Sequence, residues 1–200
     1  MKKQGKLIAL CGAKGSGKTL IAEHLVTEMG FTRISFAAPM RDMLEAIGVT
    51  PYYHTVSKNE PIESLAGEPT ARELLVTLGT SWGRECVHTS FWCSIAMNRV
   101  TEALARGENV VIDDMRFPNE FDAVAIWGGT AIKVLRGTPA TYPPFALKLY
   151  KRLPSLAQLL GMPHESELHW PNMECDIDID NNGSINSSIT QLEDFLEDIV

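Results

Sequence analysis

Residues 6–19 read KLIALCGAKGSGKT, and this stretch decides the fold. Residues 6–11 are mostly apolar and predict a buried strand, and residues 12–17 form a glycine-rich turn. Apolar side chains at helical spacing over residues 18–29 predict a helix directly after that turn. The segment GAKGSGKT matches the pattern G-x-x-x-x-G-K-[ST] at every defined position. Because a strand precedes it and a helix follows it, we predict a phosphate-binding loop here.

The residue types of this loop suit a polyphosphate. Glycines let the backbone curl so that several N–H groups point at one phosphate, and the helix that follows adds its positive N-terminal end. Lys18 is expected to reach the β and γ phosphates, and the hydroxyl of Thr19 is expected to ligate Mg²⁺. The candidate nucleotide-binding residues of the loop are Gly12, Ala13, Lys14, Gly15, Ser16, Gly17, Lys18 and Thr19.

Composition excludes several classes of protein. The chain has 200 residues, of which 44% are hydrophobic and 22% charged, and this is typical of a globular protein rather than a coiled coil or a disordered chain. The net charge of -7 disfavours a general nucleic-acid-coating protein, so we expect no direct nucleic-acid partner. No stretch is long and apolar enough to span a membrane, and four cysteines without a C-x-x-C pair favour a reducing cytoplasm.

Strand and helix patterns alternate along the rest of the chain, which is typical of an α/β protein with a parallel sheet. Residues 48–69 are rich in proline and glycine and are predicted to be mainly loop. Thr70 and Glu73 form a capping-box pattern that opens a helix, with Leu74, Leu75, Leu78 and Trp82 on one face. Further strands are predicted at 31–36, 109–114, 130–135 and 175–179, and further helices at 39–47, 91–105, after Pro118 and from about 188.

A second group of polar residues follows the strand at 109–114. The segment VVIDD ends in Asp113 and Asp114, and an acid at the end of such a strand can hold Mg²⁺ or its waters. Arg116 comes two residues later, within RFPNE. The alternative is a solvated strand end whose acid caps the next helix.

Several short segments together resemble the bacteriophage deoxynucleoside monophosphate kinases, over nearly the whole chain. The segments, in addition to the loop, are SFA at 35–37, ELL at 73–75, LGT at 78–80, WGR at 82–84, DD at 113–114, RFPNE at 116–120 and HESE at 164–167. The resemblance implies a P-loop NTPase three-layer α/β fold. Its five-stranded parallel sheet would have the order 2-3-1-4-5 and be flanked by helices, with a small lid. It also implies one kinase domain over 1–200, with a monophosphate-binding helical part at 37–107 and a lid-like excursion at 137–168.

The resemblance further implies a reaction. The γ-phosphoryl group of ATP would pass to the 5'-phosphate of a deoxynucleoside monophosphate, a small-molecule partner, with ATP and Mg²⁺ as cofactors. Joining two polyanions requires positioning and charge neutralisation more than a general base. Lys18, Arg84 and Arg116 are therefore the expected charge-stabilising residues, with Asp113 and Asp114 beside them. Such a kinase would act in the cytoplasm, the host's if the gene is carried by a phage.

Arg41, Arg84 and Arg116 are the candidates for gripping the acceptor phosphate, since a planar guanidinium can form two hydrogen bonds to it. Each could instead be a surface or helix-capping arginine. Phe36 and Trp82 are candidates for stacking on a nucleobase, although aromatics at such positions are more often core. The resemblance adds Glu167 as a substrate-side or lid-hinge residue. The family often carries Asp where Ala38 stands in this chain, which leaves sugar or base recognition open.

Two further regions complete the predicted nucleotide site. Arg136 ends the strand at 130–135, and Lys148, Lys151 and Arg152 share one helical face in the lid region, where a solvated basic face is the alternative. The segment DNNGS at 180–184 resembles the turn that lies against adenine in these kinases, which makes Asn182 a candidate; an ordinary turn is the alternative.

Two rival functions fit parts of the sequence. A hydroxyl kinase such as dephospho-coenzyme A kinase shares the loop and the DNNGS-like turn, but it needs a carboxylate base after the second strand. The segment FAAP at 36–39 offers none before Asp42. A nucleotide-dependent switch or a DNA-packaging motor component is the other rival, and the acidic charge disfavours the motor. Whether the chain forms a homodimer is left open.

Overall fold

The computed structural model describes residues 5–138, 142–143, 145–163 and 165–198. The strands form one five-stranded parallel sheet in the order β2-β3-β1-β4-β5. This confirms the α/β fold and the strand order expected for a P-loop kinase. The strands are β1 (Leu7–Cys11), β2 (Thr32–Ile34), β3 (Val110–Ile112), β4 (Thr130–Leu135) and β5 (Ile177–Asp180).

Helices flank the sheet, and others lie in the rest of the chain. In chain order they are α1 (Lys18–Thr27), α2 (Ala38–Ala46), α3 (Pro51–Thr55), α4 (Ala71–Val76), a π-helix (Thr77–Val87), α5 (Phe91–Ala105), α6 (Pro118–Ile126), α7 (Phe145–Arg152), α8 (Pro154–Leu159), α9 (Ser166–His169), a 3₁₀ turn (Trp170–Asn172) and α10 (Ile185–Asp198). Among the described residues, no helix combines the length and the apolar character needed to cross a bilayer.

The apolar runs of the sequence build the core beneath the phosphate loop. All of β1 is buried, and its Ile8 and Leu10 pack with Ile21 and Leu25 of α1. Ile179 of β5 is fully buried in the same core, whereas its neighbours Asp178 and Asp180 are exposed. In the sequence, Ile177 and Ile179 alternate with aspartates, which predicts a strand with one apolar face, and the burial of Ile179 agrees with this pattern.

The last helix begins earlier than predicted, at Ile185 rather than near residue 188. Ser188 lies inside its first turns, where the side chain is fully buried. Its hydroxyl lies 3.0 Å from the carbonyl oxygen of Asp180, a residue outside this helix. The amphipathic pattern of this segment predicts Leu192, Leu196 and Ile199 on its inward face; Leu192 and Leu196 are buried, and Ile199 lies outside the described residues.

The chain divides into two compact units, Met1–Arg33 with Glu102–Val200, and Ile34–Thr101. The second unit has a core of its own, built from Leu44, Val49, Ile62 and Ala71. The capping box that opens α4 is confirmed, because the Glu73 N–H donates to the Thr70 hydroxyl at 3.2 Å and the Thr70 N–H donates to the Glu73 carboxylate at 2.8 Å. The functional divisions at 37–107 and 137–168 stay predictions.

The second unit also departs from the sequence prediction. The segment 48–69 is not only loop, because α3 begins at Pro51, a residue whose fixed φ suits the first turn of a helix. The helix that starts with α4 continues as a π-helix, whose wider turns change the direction in which successive side chains point. Leu74, Leu75 and Leu78 still pack on the core of the unit, whereas Trp82 contacts the ring of Phe91.

Candidate functional site

The glycines of the phosphate loop meet both conformational and packing demands. Gly12, Gly15 and Gly17 have φ of 141°, 81° and 103°, a region that other residues rarely adopt. A Cβ at Gly12 would lie 2.4 Å from the carbonyl oxygen of Val134, and one at Gly17 would lie 2.2 Å from the side-chain nitrogen of Asn181. Position 15 has open space, so its glycine is required by φ alone.

Lys18 is folded back onto this loop. Its ammonium donates to the carbonyl oxygens of Gly12 at 2.8 Å and Ala13 at 2.7 Å, and it lies 3.4 Å from the hydroxyl of Ser16. The residue is only 8% exposed. The cation is therefore already held where the loop residues surround it, bonded to backbone oxygens that an incoming phosphate oxygen could replace.

The pKa of Lys18 is lowered from 10.5 to about 8, and the largest cause is burial, because water no longer solvates the ammonium. The positive charge of Arg116 lowers this pKa further. Glu167, Cys11 and Asp113 oppose the shift and raise it. Arg116, Glu167 and Asp113 thus lie within electrostatic reach of Lys18, which brings together four of the residues that the sequence selected.

Arg116 and Glu167 form an ion pair with each other. Both side chains are partly buried, with exposures of 32% and 22%. The pair joins the loop after β3 to α9, and it gives Glu167 a defined partner that the sequence could not supply. In this structure Arg116 is therefore oriented by a carboxylate close to Lys18.

Glu120 fixes the backbone beside Arg116, and sequence reasoning assigned it no role. Its carboxylate accepts from the N–H of Arg116 at 2.7 Å and from the N–H of Phe117 at 3.0 Å. The residue is 2% exposed, so this carboxylate is a buried cap of the first turn of α6. The sequence did contain a signal for this capping role, because Glu120 is an acid in the first turn of the helix that follows Pro118.

Asp113 directly follows β3 and forms an ion pair with Arg33 of the adjacent strand β2. Its side chain is mostly buried, Asp114 is half-buried, and Thr19 is exposed at the start of α1. Within the described part of the chain, no three acidic, histidine or cysteine side chains cluster as a metal cage. A hydroxyl and a carboxylate nevertheless fit Mg²⁺, which binds few protein oxygens and otherwise uses water and phosphate.

The turn after β5 lies beside the end of β4, where Arg136 is exposed. The side-chain oxygen of Asn182 accepts from the Gly137 N–H at 2.6 Å, and its amide nitrogen donates to Asp180 at 2.6 Å. These bonds make Asn182 a turn-forming residue next to Arg136. Its predicted contact with adenine stays a prediction.

Asn181 was missed by sequence reasoning, which selected only its neighbour. It is 5% exposed, and its side-chain nitrogen donates to the Ser16 carbonyl oxygen at 2.7 Å. Because 165 residues separate the two partners, no local pattern could have shown this contact.

The remaining predicted acceptor residues belong to the second unit. Arg41 is half-buried on α2, and Arg84 is half-buried on the π-helix, where it donates to the carbonyl oxygen of Thr89 at 3.3 Å. Trp82 is 40% exposed, so part of its ring surface is available. Phe36 is only 3% exposed, and this burial favours the core alternative over a stacking role.

Close packing explains the glycines of the LGT and WGR segments. The indole N–H of the buried Trp92 donates to the Gly79 carbonyl oxygen at 3.1 Å. A Cβ at Gly83 would lie 2.0 Å from that indole nitrogen, and one at Gly79 would lie 3.0 Å from the sulfur of Met40. The π-helix that presents Trp82 and Arg84 thus depends on glycine at two points of contact.

The predicted lid region has a small core, in which Tyr150, Ala157 and Leu168 are buried. Lys148 and Arg152 are exposed on α7, while the side chain of Lys151 and all of His164 lie outside the described residues. Exposure suits a solvated basic face as well as a lid, so the phosphate-binding role of these residues stays a prediction.

Comparison with solved structures agrees with the fold. The protein TT1252 from Thermus thermophilus superimposes with a TM-score of 0.50 at 18% identity, over 99% of this chain and 100% of that one. Dephospho-CoA kinase from Campylobacter jejuni also gives a TM-score of 0.50, at 13% identity and over 96% of each chain. At these identities the likeness shows a shared fold and not a shared substrate.

Sequence comparison gives the relationship. No family model matches the chain. A protein of Acanthamoeba polyphaga mimivirus named "Putative deoxynucleotide monophosphate kinase" is 31% identical over 147 residues, which cover 65% of this chain and 74% of that protein. The resemblance to the bacteriophage deoxynucleoside monophosphate kinases in particular stays a prediction. The identity, the complete phosphate loop and the sheet order together show that the chain belongs to the same family as the mimivirus protein, within the P-loop kinase superfamily.

Proposed function

We propose that the protein is an ATP-dependent deoxynucleoside monophosphate kinase. It would transfer the γ-phosphoryl group of ATP to the 5'-phosphate of its acceptor, giving ADP and a deoxynucleoside diphosphate. The observation that carries the proposal is the buried ammonium of Lys18, held inside the phosphate loop with Arg116 in electrostatic reach. The name of the mimivirus relative supports the acceptor class.

The chemistry of the site suits transfer between two phosphates. Such a transfer spreads negative charge over the moving group, and cations fixed in a partly buried site stabilise that charge more than they would in water. Lys18 and Arg116 are two such cations. Mg²⁺ would find oxygen ligands in Thr19 and Asp113, and when bound it supplies further charge neutralisation. Arg41 and Arg84 are proposed to hold the acceptor phosphate.

Transfer to a hydroxyl group is less well supported. A hydroxyl acceptor has to lose a proton, so a hydroxyl kinase needs a carboxylate base close to the acceptor. The first acid after β2 is Asp42, and its carboxylate accepts from the guanidinium of Arg99 at 3.3 Å. A phosphate acceptor is already an anion near neutral pH and needs no such base. This difference favours the monophosphate over dephospho-coenzyme A as acceptor.

A panel of acceptors tests the proposal. ADP formation from Mg-ATP is measured with each of the four common deoxynucleoside monophosphates, with the four ribonucleotides and with dephospho-coenzyme A. We expect turnover with at least one deoxynucleotide and none with dephospho-coenzyme A. Turnover only with the latter, or with no member of the panel, contradicts the proposal.

A loop variant shows that the turnover belongs to this site. Lys18→Ala is expected to abolish transfer, because it removes the cation that the loop holds. Lys2→Ala is the matched control, since it removes a lysine from the same chain outside the loop. Equal activity of the Lys18→Ala variant and the wild type would exclude the proposed chemistry.

A further inference from the structure

Asn181 connects three parts of the first unit. Its backbone N–H donates to the Leu135 carbonyl oxygen at 2.7 Å, which extends the pairing of β5 with β4. Its side-chain nitrogen donates to the Ser16 carbonyl oxygen at 2.7 Å, and its side-chain oxygen accepts from the Ser188 hydroxyl at 2.8 Å. Both Asn181 and Ser188 are buried. One residue thus joins the phosphate loop to the end of the sheet and to α10.

Its partners fix the orientation of the amide. The Ser188 hydroxyl has one proton and lies near both the Asp180 carbonyl oxygen and the amide oxygen of Asn181, so it could donate to or accept from the amide, but the Ser16 carbonyl can only accept. If the amide were turned over, its oxygen would face the Ser16 carbonyl oxygen, and two buried acceptors would repel each other. The nitrogen of Asn181 therefore has to face the loop.

This contact also sets the direction of a loop N–H group. The peptide bond between Ser16 and Gly17 is planar and trans, so the carbonyl and the N–H point to opposite sides. With the carbonyl bound by Asn181, the Gly17 N–H points away from Asn181. Backbone N–H groups of such loops bind phosphate, so the peptide orientation decides whether this donor is available.

We propose that Asn181 is a positioning residue of the nucleotide site, which holds the Ser16–Gly17 peptide in the orientation that offers its N–H group to a nucleotide phosphate. The inference rests on the proposed function only in taking a nucleotide as the ligand of the loop. It also explains why residue 17 is glycine, since a Cβ there would lie 2.2 Å from the Asn181 nitrogen. Asn181 contacts the loop and not the reacting atoms.

The substitution Asn181→Asp tests this role with little change in size. It places a carboxylate oxygen where the amide nitrogen donated to the Ser16 carbonyl, so the peptide is expected to turn or shift. Binding of ADP, measured by titration calorimetry at pH 8, is expected to weaken about tenfold, as losing one such bond and adding repulsion implies. Asn186→Asp is the matched control, because it adds the same charge on the exposed surface of α10; its ADP affinity should equal that of the wild type.

The pH dependence separates positioning from a general loss of structure. A protonated carboxyl group can donate a hydrogen bond, so the Asn181→Asp variant is expected to recover ADP affinity relative to the wild type as pH falls from 8 to 5. A variant that merely packs badly would not recover. Ser188→Ala supplies a second, milder change: it leaves the amide donor in place but removes the hydroxyl that contacts the amide oxygen, and about a threefold loss of ADP affinity is expected.

Three results would overturn the inference. They are unchanged ADP affinity in Asn181→Asp, a loss that does not recover at low pH, and an equal loss in Asn186→Asp. The melting temperature of every variant without ligand shows whether it folds. If Asn181→Asp does not fold, the ADP affinity of Ser188→Ala decides whether the inference holds. Because ADP binding needs no acceptor, it decides the role of Asn181 even where the acceptor panel contradicts the proposed reaction.

Discussion

The buried ammonium of Lys18 is expected to lower the free energy of unfolding, and this effect should disappear as pH rises. The side chain is 8% exposed, and the pKa of the ammonium is lowered from 10.5 to about 8, with burial as the largest cause. The substitution Lys18→Met keeps a similar length and removes the charge. The comparison of these two proteins isolates the titration of one buried lysine, since all other titrating groups are shared.

The sign and size of the effect follow from linkage. Below pH 8 the ammonium is charged in both the folded and the unfolded chain, and folding has to remove it from water. Between pH 8 and 10.5 the unfolded chain binds more protons than the folded chain, so the free energy of unfolding rises with pH. Each pKa unit corresponds to about 1.4 kcal/mol, so the free energy of unfolding should rise by about 3 kcal/mol over this pH range.

Urea unfolding of both proteins at pH 7, 8, 9 and 10 gives the measurement. The free energy of unfolding of the wild type minus that of Lys18→Met is expected to increase with pH, with most of the increase between pH 8 and 10. Lys14→Met, which removes an exposed lysine from the same loop, controls for the loss of an ordinary lysine. A difference between wild type and Lys18→Met that stays constant with pH would refute the reasoning.

Three further substitutions test the packing and the acceptor site. Gly83→Ala is expected to lower the free energy of unfolding by about 1–3 kcal/mol, because the new Cβ would lie 2.0 Å from the indole nitrogen of Trp92; urea unfolding checks this, and no loss would show that the π-helix can move. Glu120→Ala should cost about 1–3 kcal/mol in the same assay, since two backbone N–H groups lose their buried acceptor. Arg84→Ala is expected to raise KM for the acceptor monophosphate more than KM for ATP. Arg72 is an exposed arginine that donates to an asparagine side chain, so the control variant Arg72→Ala should change neither KM. An Arg84→Ala variant with wild-type acceptor kinetics would contradict the role proposed for that arginine.

The fold was predictable because its signals are local. The apolar run of β1, the glycines of the loop and the capping box at Thr70 each depend on residues close together in the chain, and each appears in the structure where the sequence placed it. The strand order is different, since five parallel strands allow many orders; it came from the resemblance to known kinases and not from the strands themselves. The π-helix was not predicted, because its wider turns and its contact with Trp92 depend on tertiary packing.

The site was predictable in its residue types but not in its partners. Lys18, Asp113 and Arg116 were identified from motifs, and the structure places Asp113 and Arg116 within electrostatic reach of Lys18. Their contacts join distant segments: 51 residues separate Arg116 from Glu167, and 80 separate Asp113 from Arg33. A single sequence carries no signal for such pairs, so the partner of each charged group has to be read from the structure.

The pairing of Arg116 with Glu167 does not conflict with a phosphate-binding role for this arginine. An ion pair with this much access to solvent contributes about 1 kcal/mol or less to stability, because water solvates both partners. A phosphate group carries more charge than one carboxylate and would interact with Arg116 and Lys18 together, so it can displace Glu167 at small cost. Without a phosphate, Glu167 limits the repulsion between the two cations, as its raising effect on the pKa of Lys18 shows. We therefore expect Glu167→Gln to lower the pKa of Lys18 further and to leave Arg116 able to bind phosphate.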